Sequence, residues 1–327
     1  MRREIVFIAI LCCLLTFSQA LLAFGKIHLG DLYYLLDEHA LTAEVTASID
    51  QHGMAGNYPD LDSVVIPDTV TYLRVKYAVK SIGEYAFDHS DLTTIVIPDH
   101  IQSIGESAFG SCKNLTSVTL PEGIDKLFRV FSGCTSLCRI TIPKSVVSVN
   151  ALFGNCTNLD SVVLPPNITL LGSTFANCIS LQNVTLPDSL QIIRRLTFLN
   201  CQSLQSITLP EKVTEVNTQA FKDCLALDTI RVLAAEPPTA TSESFTGMNK
   251  STCVLLVPNS SVDLYREAAG WKDFNVQPIE APADIEEAQE STSQTQSGKI
   301  LHRGQIYILR GSNTYTISGK EVNKIDL

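Results

Sequence analysis

The feature that most constrains this chain is an internal period. A proline closes an apolar triplet at Pro67, Pro98, Pro121, Pro143, Pro165, Pro187 and Pro210, at intervals of 31, 23, 22, 22, 22 and 23 residues. Leucines keep the same beat at Leu61, Leu92, Leu115, Leu137, Leu159, Leu181, Leu204 and Leu227. Phenylalanines follow at Phe87, Phe109, Phe131, Phe153, Phe175, Phe198, Phe221 and Phe245, and cysteines at Cys112, Cys134, Cys156, Cys178, Cys201 and Cys224. A catalytic thiol is needed once; one that recurs beside an aromatic ring asks for a structural reason. A fixed period of 20–50 residues marks an array in which each repeat is one supersecondary unit.

The columns dictate a coil. In Leu115–Pro121 the alternation places Val118 and Leu120 inward and Thr119 outward, as in a short strand. Proline then ends the strand, having no N–H to donate. A single coil cannot bury its apolar face, so stacked coils must share one core. With strands about 4.8 Å apart, eight of them make a sheet roughly 35–40 Å long. A second aliphatic pair, such as Ile101 and Ile104, carries the chain around the far side. The later aliphatic (Ile104, Leu127, Val149, Leu171, Ile193, Val216) stands four or five positions before Phe, and this arc absorbs the difference between 22 and 23 residues. Gly83, Gly105 and Gly172 follow that aliphatic, whereas Phe128, Asn150, Arg194 and Asn217 stand there in other coils, which must turn without a glycine.

Seven coils span 61–226, the first lengthened by "TYLRVKYAV", an alternating stretch that predicts a hairpin. Ahead of it, in the 21–60 cap, "DLYYLLDEHALTAEVTA" reads as two strands around Asp37-Glu38-His39. Residues 227–277 break the pattern, as the end of a solenoid must if its last coil is not to expose an apolar edge.

"LTTIVIPDHIQSIGESAFGSCKNL" resembles the repeat of BspA-like leucine-rich repeat proteins. "LYYLL", "TAEVTA" and "VVIPDTVTYLRVKYAVKSIGEYAF" are similar to the segments that begin such arrays, and "VLLVPNSSVDLYREAAGWKDF" to those that end them. The resemblance covers about residues 27–277. It implies an α/β solenoid: a right-handed, strand-rich leucine-rich repeat superhelix of 22–23 residues per coil with a β-hairpin N-terminal cap. It also implies an exported protein of a Gram-negative bacterium that takes part in adhesion or host-matrix binding.

The ends of the chain agree with export. Arg2 and Arg3 precede the apolar run Ile5–Phe17, and Ser18-Gln19-Ala20 offers small residues to a signal peptidase, so 1–20 reads as a secretory signal peptide. No later run is long enough to cross a bilayer. Residues 278–298 hold five acids and no base and read as an acidic linker. In 299–327, Ile306, Ile308, Tyr315 and Ile317 alternate on two strands around Arg310-Gly311-Ser312-Asn313. Gly304-Gln305-Ile306-Tyr307-Ile308, the Tyr315 strand and Gly319 before a basic end resemble the last part of a type IX secretion sorting domain.

The chemistry left open is small. The array 61–226 carries 12 basic and 14 acidic side chains, and the whole chain is at -10, so no basic stripe invites nucleic acid. The six histidines sit in no metal or catalytic motif, and no nucleophile elbow, phosphate loop or dinucleotide fingerprint occurs. No cofactor and no metal are expected. The cysteine column reads as buried thiols filling space beside Phe, with Ser90 and Met248 at the equivalent positions of the end coils. A ladder of disulfides is the alternative that an oxidising compartment offers. Metal is disfavoured, since a straight column cannot close a tetrahedron.

Two outward columns remain as the candidate contact surface. One is Ser63, Thr94, Ser117, Arg139, Ser161, Asn183, Ser206 and Thr229; the other is Val65, Val96, Thr119, Thr141, Val163, Thr185, Thr208 and Arg231. They read either as a cross-strand ladder that stabilises the sheet or as a flat docking surface for a protein or glycan. The surface lacks the aromatic anchors of tight interfaces, so binding is expected to be weak or multivalent. Tyr33, Tyr34, Tyr72 and Tyr77 in the cap are rival contacts. The expected function is adhesion or recognition at the cell surface; the alternatives are a structural spacer and an enzyme whose site is hidden in the caps.

Overall fold

The computed structural model describes residues 25–49, 55–56, 58, 61–279, 298–302, 305–310, 313–316 and 321–322. The stretch read as a signal peptide and nearly all of the stretch read as an acidic linker lie outside the described residues. The chain divides into two compact units, one ending at Ile279 and one beginning at Glu280.

The first unit is a curved, strand-rich solenoid with little helix. Each coil crosses the molecule along three arcs, and main-chain hydrogen bonds join neighbouring coils along them. On the front arc, short parallel strands stack in register: Thr94–Val96 on Ser117–Thr119, Ser161–Val163 on Asn183–Thr185, and Ser206–Leu209 on Thr229–Val232. On the second arc, Lys126–Phe128 pairs with Ser148–Asn150, and Leu170–Leu171 with Ile192–Ile193 and then Glu215–Val216. On the third arc the amide of each repeat Phe donates to the carbonyl just before the next one. The series runs Phe87 to Ala108, Phe109 to Val130, Phe131 to Leu152, Phe153 to Thr174, Phe175 to Thr197, Phe198 to Ala220 and Phe221 to Ser244, all within 2.7–3.2 Å.

The period of the sequence thus becomes a stack of rings. Eight phenylalanines from Phe87 to Phe245 lie face to face, with centroids 5.0–6.3 Å apart and planes within 20° of parallel. All eight are fully buried. Aromatic pairs at this spacing contribute about 0.5–1.5 kcal/mol beyond the burial of their area. Tyr58 closes the column at one end, 5.3 Å from Phe87, and Trp271 and Phe274 close the other, each 5.0 Å from Phe245.

The turn beside this column is made differently from the sequence expectation. Gly83, Gly105 and Gly172 are absent from the residues with positive φ. Instead, every coil takes its left-handed step two positions before Phe, at Tyr85, Ser107, Arg129, Ala151, Ser173, Leu196 and Gln219, with φ of 48–62°. A second such step falls two positions after Phe, at His89, Ser111, Gly133, Asn155, Asn177, Asn200, Asp223 and Gly247. Coils with and without a glycine after the aliphatic therefore turn alike. Where that glycine occurs, its role is close approach: a Cβ on Gly105 would collide with the backbone at Gly83 and Glu84 of the preceding coil.

The caps complete the core. Leu32–Asp37 and Thr42–Thr46 pair antiparallel, Lys26–Leu29 flanks them, and Thr42–Thr46 joins Val75–Ile82 in parallel. The insertion in the first coil is the hairpin Thr69–Tyr72/Val75–Ile82, turning at Leu73 and Arg74. At the other end the front sheet continues beyond residue 226, because Val254–Val257 and Asn275–Pro278 add two further parallel rungs. The one α-helix among the described residues, Val262–Glu267, lies between those rungs, so the helical share implied by an α/β solenoid shrinks to a single short element. Gly270 is required there: its φ is +83°, and a Cβ would stand 2.8 Å from the Ala240 carbonyl carbon. Trp271 Nε1 donates to Pro238 O at 2.7 Å and the Tyr265 hydroxyl to Ala234 O at 2.8 Å, so both large rings are buried without an orphaned polar atom.

The second unit is an antiparallel sheet of Gly298–His302, Gln305–Arg310, Asn313–Thr316 and Glu321–Val322 in that order. Ile308 and Tyr315 are register partners across the central pair. The sheet has two more strands than the expected hairpin and begins at Gly298, inside the stretch read as linker. Ile317 lies outside the described residues.

Two outcomes follow for urea denaturation of the chain from residue 21 onward. Phe153→Ala removes one ring from the middle of the column and should cost about 3–5 kcal/mol. Ala151→Gly relieves a left-handed alanine and should stabilise the protein by about 0.5–1 kcal/mol.

Candidate binding face

The front strands point alternate side chains into the core and out to solvent. Val118, Ile140, Val162, Ile207 and Ile230 are buried. Ser63, Thr94, Ser117, Arg139, Asn183 and Ser206 in the first outward column are exposed, with Ser161 and Thr229 half-buried. Thr119, Thr141, Thr185, Thr208 and Arg231 in the second are exposed, as are Val65, Val96 and Val163. Register brings like positions together: Thr94 beside Ser117, Ser161 beside Asn183, Val163 beside Thr185, Ser206 beside Thr229, and Thr208 beside Arg231.

Charge on this face is sparse. Arg139 reaches to the next coil, where Nε and Nη2 donate to Asp160 Oδ2 at 3.3 and 3.2 Å. The Ser161 hydroxyl donates to the other carboxylate oxygen at 2.8 Å. That hydroxyl first, and the guanidinium with it, hold the Asp160 carboxyl below its ordinary range. The pair is solvent-exposed, so it fixes the guanidinium in place more than it stabilises the fold.

The front ladder has two interruptions. Among the described residues no main-chain hydrogen bond joins 116–121 to 138–143, and none joins 182–187 to 205–210. The third arc runs past both places unbroken. Inward side chains are less covered here: Leu120 and Val184 are only half-buried, where Leu209 and Ile230 are sealed. An open groove of about 740 Å³ lies over the first interruption, extending from Ser117 and Val118 across Arg139–Ile142 to Asn183 and Thr185, and a smaller one of about 240 Å³ over the second.

Behind the face, the cysteine column is sealed. Cys112, Cys134, Cys156, Cys178, Cys201 and Cys224 are all buried and free. Each thiol donates to the carbonyl of the phenylalanine in the preceding coil: Cys112 to Phe87, Cys134 to Phe109, Cys156 to Phe131, Cys178 to Phe153, Cys201 to Phe175 and Cys224 to Phe198, at 3.0–3.2 Å. Size is therefore half of the reason for cysteine; the other half is a small donor for a carbonyl inside the core. Ser90, at the equivalent position of the first coil, is buried with its hydroxyl 3.2 Å from Cys112 Sγ. Burial pushes the Cys156 thiol up to about 12. Cys138 is the exposed exception.

The tyrosines proposed as rival contacts divide. Tyr34 and Tyr77 belong to the core, at 1% and 4% exposure, because alternation turns them inward. Tyr33 and Tyr72 are half-buried, and the Tyr33 ring stacks on His28 at 4.4 Å. Among the described residues no group of three or more His, Cys, Asp or Glu is placed to hold a metal, and no helix is long and apolar enough to cross a membrane.

Comparison with known proteins agrees with this geometry. The family described as "BspA type Leucine rich repeat region (6 copies)" matches residues 80–174 and 171–292, well over half of the chain. A leucine rich cell surface protein from Faecalibacterium prausnitzii A2-165 is 26% identical over 78% of this chain and 76% of its own, with a TM-score of 0.55. A leucine-rich repeat protein from Bacteroides capillosus ATCC 29799 is 30% identical over 42% of this chain and 96% of its own, with a TM-score of 0.36. One from Bacteroides ovatus ATCC 8483 is 20% identical over 77% and 90%, with a TM-score of 0.38. No curated protein matches the chain.

The thiol column yields a test. Cys156→Ala should cost about 1–3 kcal/mol, for the cavity and for the carbonyl left with one donor fewer. Cys156→Ser, which keeps a donor, should cost less; equal losses would leave packing alone as the explanation. The buried thiol ionises near 12 while a free one ionises near 9.0. Its contribution to stability is whole below pH 9 and lost as pH rises towards 12, so urea midpoints should fall over that range.

Proposed function

Because the chain belongs to the BspA-type leucine-rich repeat family, we propose that it is an exported, non-enzymatic recognition protein whose outward strand columns contact a protein or glycan at a cell surface. The observation that carries this reading is the outward face itself. Small hydroxyl and β-branched side chains are repeated in register along successive rungs and left exposed. A rigid array of near-identical sites suits weak contacts made many times, and avidity then exceeds the affinity of any one of them. The cell-surface description of the relative from Faecalibacterium prausnitzii supports the location.

The division into signal 1–20, cap 21–60, array 61–226, C-terminal cap 227–277, linker 278–298 and tail 299–327 belongs to the same proposal. In it the tail is a type IX sorting or attachment module of a Gram-negative exporter. The four-stranded sheet supports a tail that is a folded unit rather than a stray hairpin. The second reading is a spacer without a specific ligand, favoured by the absence of aromatic residues from both outward columns.

A panel of matrix proteins and glycans separates the two. Arginine placed together at Thr94, Thr119 and Ser161 should lower binding at least tenfold while the melting temperature stays that of the parent. Binding to no member of the panel would favour the spacer. Deleting 299–327 should change where the protein accumulates; unchanged location removes the sorting role.

A further inference from the structure

We propose that the opened seam between Ser117–Thr119 and Arg139–Ile142 is the principal contact point of the outward face, and that its ligand is an extended polypeptide bound partly through its own main chain. This rests on the reading of the outward columns as the binding face.

The front ladder has a mechanical reason to give way here. The third arc is bonded coil to coil without a break and stacks its rings, so it acts as the spine. The front arc is held by strands of three or four residues and yields first. At the seam the bonds made at the neighbouring interface are missing. There, Thr116 N–H donates to Thr93 O at 2.9 Å and Ile97 N–H to Thr119 O at 3.0 Å. The corresponding amides at the seam, Cys138 and Leu120, have no main-chain partner among the described residues. Peptide groups left open in this way can donate to and accept from a partner laid along them.

The rest of the groove narrows the class of that partner. Val118 and Ile140, inward residues of the facing strands, form an aliphatic floor, and Ser117, Thr141, Ser161 and Asn183 supply short polar groups. No aromatic side chain lines the groove, so it offers no platform for a sugar ring or a base. Arg139 is held by Asp160, but Lys144 and Glu122 line the groove in no ion pair among the described residues. They offer one charge of each sign to the side chains of a ligand. Unpaired main-chain groups, an apolar floor and two unlike charges together match a polypeptide in extended form, the mode of recognition that sheet edges provide.

The experiment uses the chain from residue 21 onward and a phage-displayed library of random 12-residue peptides, with a panel of soluble polysaccharides beside it. Thr141→Arg and Ser117→Arg plug the seam from its two walls; Thr208→Arg places the same charge elsewhere on the outward face. All three sites are exposed, and thermal melting confirms the fold of each variant. The expected result is an enriched peptide set whose affinity falls more than tenfold in both seam variants and less than twofold in Thr208→Arg. Equal losses in all three variants would keep the outward face as the binding surface and overturn the seam. Binding of polysaccharide without any peptide enrichment would overturn the polypeptide ligand and leave the face intact. No binding of either probe would overturn both the seam and the face.

Discussion

The structure depends on one contact repeated coil after coil: a phenylalanine whose ring stacks on the ring before it and whose amide bonds to the coil after it. The ring column has no edge to expose, because Tyr58 closes it at one end and Trp271 with Phe274 at the other. From Phe109 to Phe198 the carbonyl of each ring residue accepts its own coil's cysteine amide and the next coil's thiol, as Phe131 O does from the Cys134 amide at 3.2 Å and from Cys156 Sγ at 3.0 Å. Buried polar groups in a core this dry must be paired, and a cysteine can pair one without adding bulk.

A spine of this kind has consequences for the other two arcs. It sets the separation of the coils on one side only, so the front strands take up whatever misfit accumulates. Three-residue strands cannot resist that misfit everywhere, and the ladder opens at two places. A face built on such strands has its side chains held in line by the core and its main chain exposed where the coils part. Regular packing and an opened groove thus arise from the same architecture.

Much of this was legible in the residues. Period-2 alternation in Leu115–Pro121 is enough to sort Val118 from Thr119, and the structure buries the first and exposes the second. The same rule separates Tyr34, in the core, from Tyr33, at its edge, so naming both as contacts set aside a distinction the pattern already contained. Asn155, Asn177, Asn200 and Asp223 recur two places after Phe, and residues of this type tolerate a left-handed backbone; that signal was present. Tyr85, Ser107, Arg129 and Ala151 carry no such mark, and the steps they make are imposed by the packing around them. The hydrogen bond from each thiol was hidden as well, because cysteine in a core reads as a small hydrophobe.

The sequence by itself determined the period, which strand residues face water and the closing of both ends by atypical segments. Each of these follows from the order of side chains along one coil, and a periodic sequence must repeat that order. Only the tertiary structure decided where neighbouring coils bond and where they part. Ser117 and Arg139 occupy the same column as Ser161 and Asn183, yet the second pair is hydrogen-bonded and the first is not. That difference belongs to no residue in the column: a hydrogen bond tolerates only a few tenths of an ångström of added separation, and the separation is the summed result of how whole coils pack on the spine.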